Sequence, residues 1–176
     1  KKGIEVLLMF DRVDEWLMGQ VHEFDGKSFQ SVAKGELDLG KIEGEEKDDE
    51  KKDSEENKAL IERLKKSLEE RVEDVRVSER LTESPSCIVL NEHEMAMYMQ
   101  QLMKQAGQEI PTSKPVLEIN ADHPILQKMQ NESDDDRFKD WSGMLLDQAI
   151  LAEGGQLEDP GSFVRRMNEI MLTLSK

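Results

Sequence analysis

The segment that decides the fold is residues 133–176, which reads SDDDRFKDWSGMLLDQAILAEGGQLEDPGSFVRRMNEIMLTLSK. Its first half places apolar residues every three or four positions, the spacing of one helix face: Phe138, Trp141, Leu145 and Ala149. Ser133 and the three aspartates after it offer a cap and negative charge to the helix start. Gly154 and Gly155 end it. We therefore predict a helix between Ser133 and Gly154.

A second helix follows at once, because Asp159 and Pro160 form a cap and a proline at the first helical position. Its apolar positions again fit one face: Phe163, Val164, Met167, Ile170, Met171 and Leu174. The two helices form a hairpin with wide apolar faces. The hairpin either packs within its own chain or pairs with the same hairpin of a second chain, and the pattern alone does not separate these.

Upstream, the apolar pattern alternates between helix and strand spacing. Leu60, Ile61, Leu64 and Leu68 fit an amphipathic helix. Strands are predicted at Val75–Val77, Cys87–Leu90 and Val116–Ile119. Further helices are predicted from a capping box at Asn91 and Glu94 to Gly107, and from Asp122 onward. The predicted fold class is α+β, a small three-stranded sheet with flanking helices and the C-terminal hairpin.

The first part of the chain is organised differently. We predict a buried strand at Ile4–Phe10, a short helix capped by Asp11, a turn at Asp25-Gly26 and a strand at Phe29–Val32. A strongly acidic run follows and indicates a solvated linker. The predicted organisation is therefore a segment at 1–40, an acidic linker at 41–57 and a domain at 58–176.

Composition excludes several classes of function. The 176 residues carry a formal net charge of -15, which repels phosphate backbones and argues against nucleic-acid and anionic-membrane partners. No apolar run approaches the roughly 18 residues that a membrane span needs. Cys87 is the only cysteine, so no internal disulfide can form and a reducing, cytoplasmic location is favoured.

The sequence offers no catalytic constellation, and we predict that this chain is not an enzyme. Its histidines, His22, His93 and His123, are scattered, and no zinc-protease motif is completed. Cys87 lies in a predicted strand, where a buried and inert thiol is expected. Gly107, Gly154 and Gly155 lie at predicted helix ends. No cofactor and no metal are therefore expected in this chain.

A methionine-rich face and a tryptophan are the remaining features of interest. Met95, Met99, Leu102 and Met103 share one face of the helix predicted after Asn91. Such a stripe is more often core than a binding surface, although flexible methionine suits surfaces that accept many partners. Trp16 is likewise either a core anchor or a partner contact, and the pattern does not decide.

Several literal stretches, in order, resemble one family. They are Ile4–Leu8 with Asp11–Trp16 and Glu23–Lys27, then Glu70–Arg76 and Arg80–Pro85, then Leu145–Ala149, Leu157–Pro160 and Phe163–Asn168. These resemble the end of the middle domain and the C-terminal domain of bacterial HtpG-type members of the ninety-kilodalton heat-shock protein chaperones. The resemblance covers nearly the whole chain except the acidic linker.

The resemblance implies a homodimer that opens and closes around misfolded or immature client proteins, driven by ATP hydrolysis, and that works with other chaperones. ATP and magnesium would bind in an N-terminal domain outside these residues. The terminal hairpins of two chains would form an intermolecular four-helix bundle. Its core would hold Phe138, Trp141, Leu145, Ala149, Met167, Ile170 and Met171. Client contacts would fall on Trp16, Met95, Met99, Leu102 and Met103. The alternative is a self-associating scaffold without a client role.

Overall fold

A computed structural model describes residues 5–11, 13–35, 54–91, 94–108 and 113–174. The helices in these ranges are α1 (Asp14–Met18), α2 (Glu55–Leu68), α3 (Met97–Gln105), α4 (Pro124–Gln130), α5 (Asp135–Ala152) and α6 (Pro160–Leu174). The strands are β1 (Glu23–Phe24), β2 (Lys27–Ser28), β3 (Asp74–Val77), β4 (Ser86–Val89) and β5 (Val116–Ile119). We call residues 54–174 the sheet unit and residues 5–35 the leading segment.

The sheet unit is built on three strands in the order β3-β5-β4, at the positions predicted for strands. β5 lies in the middle, parallel to β3 and antiparallel to β4. Side chains alternate between the two faces of a strand, so Val75, Ile88 and Leu117 point to the helical side. The opposite side carries Arg76, Cys87 and Glu118, which are paired across the strands.

Helices cover one face of this sheet and enclose the core. α5 packs against β4, α2 and α6, while α2 also packs against β3 and α4. The core holds three of the four apolar residues predicted for α2, all but the partly buried Ile61, together with residues of the sheet, α4 and α5: Leu60, Leu64, Leu68, Val72, Val75, Ile88, Leu117, Ile119, Leu126, Met129, Phe138, Leu145, Leu146 and Ala149. A single core therefore joins α2, the sheet, α4 and α5.

The leading segment differs from its prediction in two places. Residues 5–10 have no regular secondary structure and are exposed, so the prediction of a buried strand at Ile4–Phe10 is wrong for them; Ile4 lies outside the described residues. A strand requires a neighbour to pair with, and these residues pair with no strand in the described ranges. The strand predicted at Phe29–Val32 is replaced by β2, two residues earlier.

The Asp25-Gly26 turn explains that shift. Both residues have positive φ, 50° and 74°, which is the conformation of a type I′ hairpin turn. Such a turn pairs the residues that flank it directly, and Phe24 lies opposite Lys27. The turn itself was predicted correctly, and it fixes the strand register.

Helix starts were predicted less well than helix ends. α2 begins at Glu55, three residues before the predicted boundary at 58, with Ser54 Oγ accepting from the Asn57 amide. α3 begins at Met97 rather than near Asn91. The Glu94 carboxylate accepts from the Asn91 amide, as in the predicted capping box, but the Asn91 side chain donates to Ser113 and caps no helix. The rest of the predicted linker, up to residue 53, lies outside the described residues.

Caps account for the other two differences. His123 caps α4 through Nδ1, which accepts from the Ile125 amide at 3.2 Å, so α4 begins at Pro124 rather than at Asp122. Asp134, not Ser133, caps α5 and accepts from the Arg137 amide at 3.0 Å. Ends at Gly107 and Gly154, both with positive φ, agree with the prediction. No described helix is both long enough and apolar enough to span a bilayer.

Candidate functional site

The terminal helices place the predicted dimer residues on two different surfaces. Phe138, Leu145 and Ala149 are 2%, 3% and 1% exposed and belong to the core of their own chain. Their assignment to an interface between chains is therefore corrected. The physical reason is that α5 lies directly on the sheet: its stripe fills the space above β4, and the Leu145 carbonyl accepts from Ser86 Oγ at 3.2 Å.

The other predicted dimer residues lie nearer the surface. Trp141 is half-buried and packs against the core, and Ile170 is half-buried on α6. Met167 and Met171 are exposed, at 39% and 60%. The structure thus places three of the seven predicted residues in the core, two at half-buried positions and two, Met167 and Met171, on the surface of α6.

Residues that the sequence analysis did not select join the surface group. Val164 and Leu172 of α6 are 47% and 66% exposed. With Met167 and Met171 they lie at i, i+3, i+7 and i+8, which is one helix face. We call these four residues the outer face of α6. The spacing was visible in the sequence. Because α6 has apolar residues on both faces, however, the spacing does not determine which face packs against its own chain.

The methionine-rich face lies on and just before α3. Met95, Met99 and Met103 are half-buried, and Leu102 is exposed. Met97, on another side of α3, is the residue of this helix that packs against the core. The four predicted client residues are therefore neither fully buried nor part of the main core, so they remain accessible to a partner.

Trp16 lies on α1, where its side chain is exposed. Its side chain is 69% exposed, and Leu17 beside it is also exposed. The Asp11 carboxylate accepts from the Val13 amide at 3.1 Å in the turn that leads into this short helix. Trp16 therefore presents an apolar ring to the outside.

A buried carboxylate on the back of the sheet joins the leading segment to the sheet unit. Glu118 is 3% exposed, and its two oxygens lie 2.9 Å from Arg76 and 2.9 Å from Arg80. Ser78 Oγ donates to it at 2.9 Å. Arg80 also donates to the carbonyls of Val32 and Gly35.

Backbone pairing continues the same junction. The Gly35 amide donates to the Leu90 carbonyl at 2.9 Å, and the Leu90 amide donates to the Ala33 carbonyl at 3.3 Å. Residues 33–35 thus extend the sheet beyond β4. Sequence reasoning missed this network, although Arg76 and Glu118 each interrupt an apolar strand and so could have been placed on one face.

A second buried carboxylate lies between α5 and α6. Asp147 is 3% exposed, with Arg71 Nη2 at 2.6 Å and Arg166 Nη1 at 3.4 Å. Buried charges of this kind are retained only with close partners, since an unpaired one costs several kcal/mol. This cluster holds the start of α6 against α5.

The groups that could support catalysis are inert or dispersed. The Cys87 thiol is half-buried, and this burial, reinforced by the Glu118 carboxylate, raises its pKa to about 12, which favours the unreactive thiol form. His22 is exposed, His123 caps α4, and His93 lies outside the described residues. Within the described ranges, no group of three or more His, Cys, Asp or Glu side chains could hold a metal ion. These residues do not fit an ATP-magnesium site.

Comparison with known proteins places the chain in a family. The family model described as Hsp90 protein matches residues 1–175. The chain is 55% identical over 176 residues to a protein of Dechloromonas aromatica named chaperone protein HtpG, covering 99% of this chain and 27% of that protein. It is 49% identical over 176 residues to the protein of the same name from Nitrosococcus oceani, covering 99% of this chain and 28% of that protein. The chain thus spans about a quarter of the length of these relatives, and it belongs to the Hsp90 protein family.

Proposed function

We propose that this chain is the C-terminal homodimerisation and client-binding portion of an ATP-dependent molecular chaperone that assists the folding of other proteins. Membership of the Hsp90 family and the name chaperone protein HtpG of its relatives support a chaperone role. In this proposal residues 1–40 end the middle domain, residues 41–57 link, and residues 58–176 form the dimerisation domain. ATP and magnesium then act elsewhere in the longer protein.

The observation that carries the proposal is the outer face of α6. Four apolar side chains, 39% to 66% exposed, lie along one side of a helix that already uses its other side to pack on α5. Leu151 at the end of α5 is also exposed, at 45%. A contiguous apolar surface of this kind marks a site of association.

A second copy of the chain is the partner that fits this surface best. Two α5–α6 hairpins related by a two-fold axis bury the same outer face on both sides and form an intermolecular four-helix bundle. In this revised interface Met167 and Met171 are retained, Val164 and Leu172 are added, and Phe138, Leu145 and Ala149 stay in the core of their own chain.

The client role rests on a different surface. Leu102 and Trp16 are exposed, and the half-buried Met95, Met99 and Met103 add flexible apolar side chains around Leu102. Methionine adapts to partners of different shape, which suits a chaperone that binds unfolded or partly folded proteins.

Charge and cysteine content support the remaining parts of the proposal. The net charge of -15 disfavours nucleic acid and anionic membranes as partners. The single cysteine fits a reducing cytoplasm. Other chaperones that co-operate with the full-length protein complete the expected partners.

The dimer part is tested by sedimentation equilibrium of Met171→Asp beside a matched control. Asp at position 171 places a charge in the proposed apolar interface, so we expect the dimer to weaken at least tenfold. Lys128→Asp, at an exposed position of α4, changes a surface charge by more and is expected to leave the dimer within twofold of wild type. Equal dimer affinity in wild type and Met171→Asp contradicts the interface.

The client part is tested by anisotropy of a fluorescent, reduced and carboxymethylated lactalbumin, which cannot fold. Leu102→Ser and Trp16→Ser are expected to weaken binding severalfold. Gln105→Ser and Gln20→Ser, exposed on or next to the same helices, are the controls and should bind as wild type does. Dimers that bind no unfolded protein favour the alternative, a self-associating scaffold without a client role.

A further inference from the structure

One face of α6 packs against α5, and the other face is exposed. Ser162, Phe163, Arg166 and Ile170 are half-buried and lie at i, i+1, i+4 and i+8, which is the side turned to α5. The outer face lies on the other side. Because a helix is rigid, the packing of the inner residues against α5 sets the direction in which the outer face points.

Arg166 is the charged member of the inner face and makes its most specific contacts. Its Nη1 lies 3.4 Å from Asp147 Oδ2, and its Nη2 donates to Ser162 Oγ at 3.0 Å. Its Nε lies 3.9 Å from Asp140 Oδ1. The planar guanidinium thus contacts three polar groups in fixed directions, which the compact ammonium group of a lysine could not do.

The opposite half of the contact is a gap in the surface of α5. A Cβ at Gly143 would lie 2.5 Å from Arg166 Nη1 and 3.4 Å from its Cζ. Gly143 is buried in the interior of a helix, where glycine is less stable than alanine. The space that its missing side chain leaves is filled by the guanidinium. Asp147, one turn later on the same face, supplies the buried negative charge.

We propose that Gly143 and Asp147 form a socket on α5 for Arg166, and that Arg166 is the positioning residue that sets how α6 crosses α5. This inference rests on the proposed dimerisation. Because the socket aims the outer face of α6 at the second chain, dimer affinity depends on a contact that lies outside the dimer surface. The socket orders the helix for association and takes no part in the apolar contact itself.

The test compares dimer dissociation constants by sedimentation equilibrium, with thermal unfolding and far-ultraviolet circular dichroism recorded for every variant. Gly143→Ala places a Cβ where the end of the flexible Arg166 side chain lies, so it should shift the guanidinium off Asp147 and raise the dissociation constant severalfold while helix content stays unchanged. Arg166→Ala should do the same. In the Arg166→Ala background, adding Gly143→Ala should change the constant less than twofold, because the clash has been removed.

Arg80→Gln is the matched control for a general loss of stability. It removes an arginine from the other buried carboxylate, Glu118, which pairs with Arg76 and Arg80 on the face of the sheet opposite α5. We expect a lowered melting temperature and a dimer constant within twofold of wild type. If Arg80→Gln weakens the dimer as much as Gly143→Ala does, the socket has no special role and the inference is overturned.

The other outcomes separate the inference from the function on which it rests. If Met171→Asp weakens the dimer and Gly143→Ala and Arg166→Ala do not, the inference is overturned and the dimer stands. If wild type is a monomer at every concentration, both are overturned. If Gly143→Ala unfolds, Arg166→Ala alone decides, since it only shortens a half-buried side chain.

Discussion

Leu145→Ala distinguishes a core residue from an interface residue. The Leu145 side chain is 3% exposed, lies in the core cluster, and sits above the sheet. Truncating a buried leucine to alanine costs about 2–5 kcal/mol, from lost burial and from the cavity that remains. Because Leu145 is almost fully buried between the sheet and α5, we expect a loss of about 3 kcal/mol. For a domain of this size, that lowers the melting temperature by roughly 10 °C.

The assay is urea unfolding followed by circular dichroism, at a protein concentration low enough for the monomer. Met171→Ala is the control, because Met171 is 60% exposed and its truncation should change monomer stability by no more than about 0.5 kcal/mol. A Leu145→Ala variant within about 0.5 kcal/mol of wild type would refute the placement of α5 on the sheet. Leu145 would then be free to serve the interface first predicted for it.

Three further predictions concern titration and the junction of the leading segment. Cys87 should react with a disulfide reagent at pH 8 far more slowly in the folded chain than in urea, because its pKa is raised to about 12 in the fold, and equal reaction rates would contradict the burial. Because the raised pKa favours the protonated thiol in the folded state, the contribution of Cys87 to the free energy of unfolding is complete below the ordinary pKa of 9.0 and is lost as the pH rises toward 12. The backbone amide of Arg137 lowers the pKa of Asp134, so the stabilising contribution of this cap is present above about pH 4 and is lost as the pH falls. In Asp134→Asn the melting temperature should therefore fall less steeply with decreasing pH, and an unchanged pH dependence would show that the cap does not cause it. Arg80→Gln should speed hydrogen exchange at the Gly35 amide about tenfold or more by releasing residues 32–35, whereas unchanged exchange would mean that backbone pairing with Leu90 suffices.

Local signals in the sequence predicted local features of the fold. Helical spacing identified α2, α5 and α6, and the glycines at 107 and 154 marked helix ends because positive φ suits glycine. The Asp25-Gly26 pair identified its turn for the same reason. Helix starts were less predictable, since several polar residues compete to cap, and Asn91 and Ser133 are good caps that the chain does not use in that way.

The partner of each apolar face could not be predicted from spacing. α5 buries residues on nearly every side, because the sheet lies beneath it and α6 lies against it. A stripe such as Phe138, Leu145 and Ala149 indicates burial without naming what covers it. The resemblance placed the stripe between two chains, whereas tertiary packing places it in one.

The buried carboxylates show the same limit at the level of charge. Glu118 lies between the apolar Leu117 and Ile119 in a strand, so the sequence already places its side chain on the opposite face of the sheet from theirs. Asp147 offered no comparable signal, since its burial depends on α6 crossing near Gly143. Long-range contacts of this kind join residues 42 or 19 positions apart and are set by the fold.

The most direct measurement is the solution mass of the wild-type chain by light scattering over a dilution series. The account predicts a mass twice that of the 20.2 kDa chain at micromolar concentration, falling toward the monomer only on strong dilution. A mass of 20.2 kDa at every concentration would contradict it, because the outer face of α6 would then be exposed without a second chain to cover it.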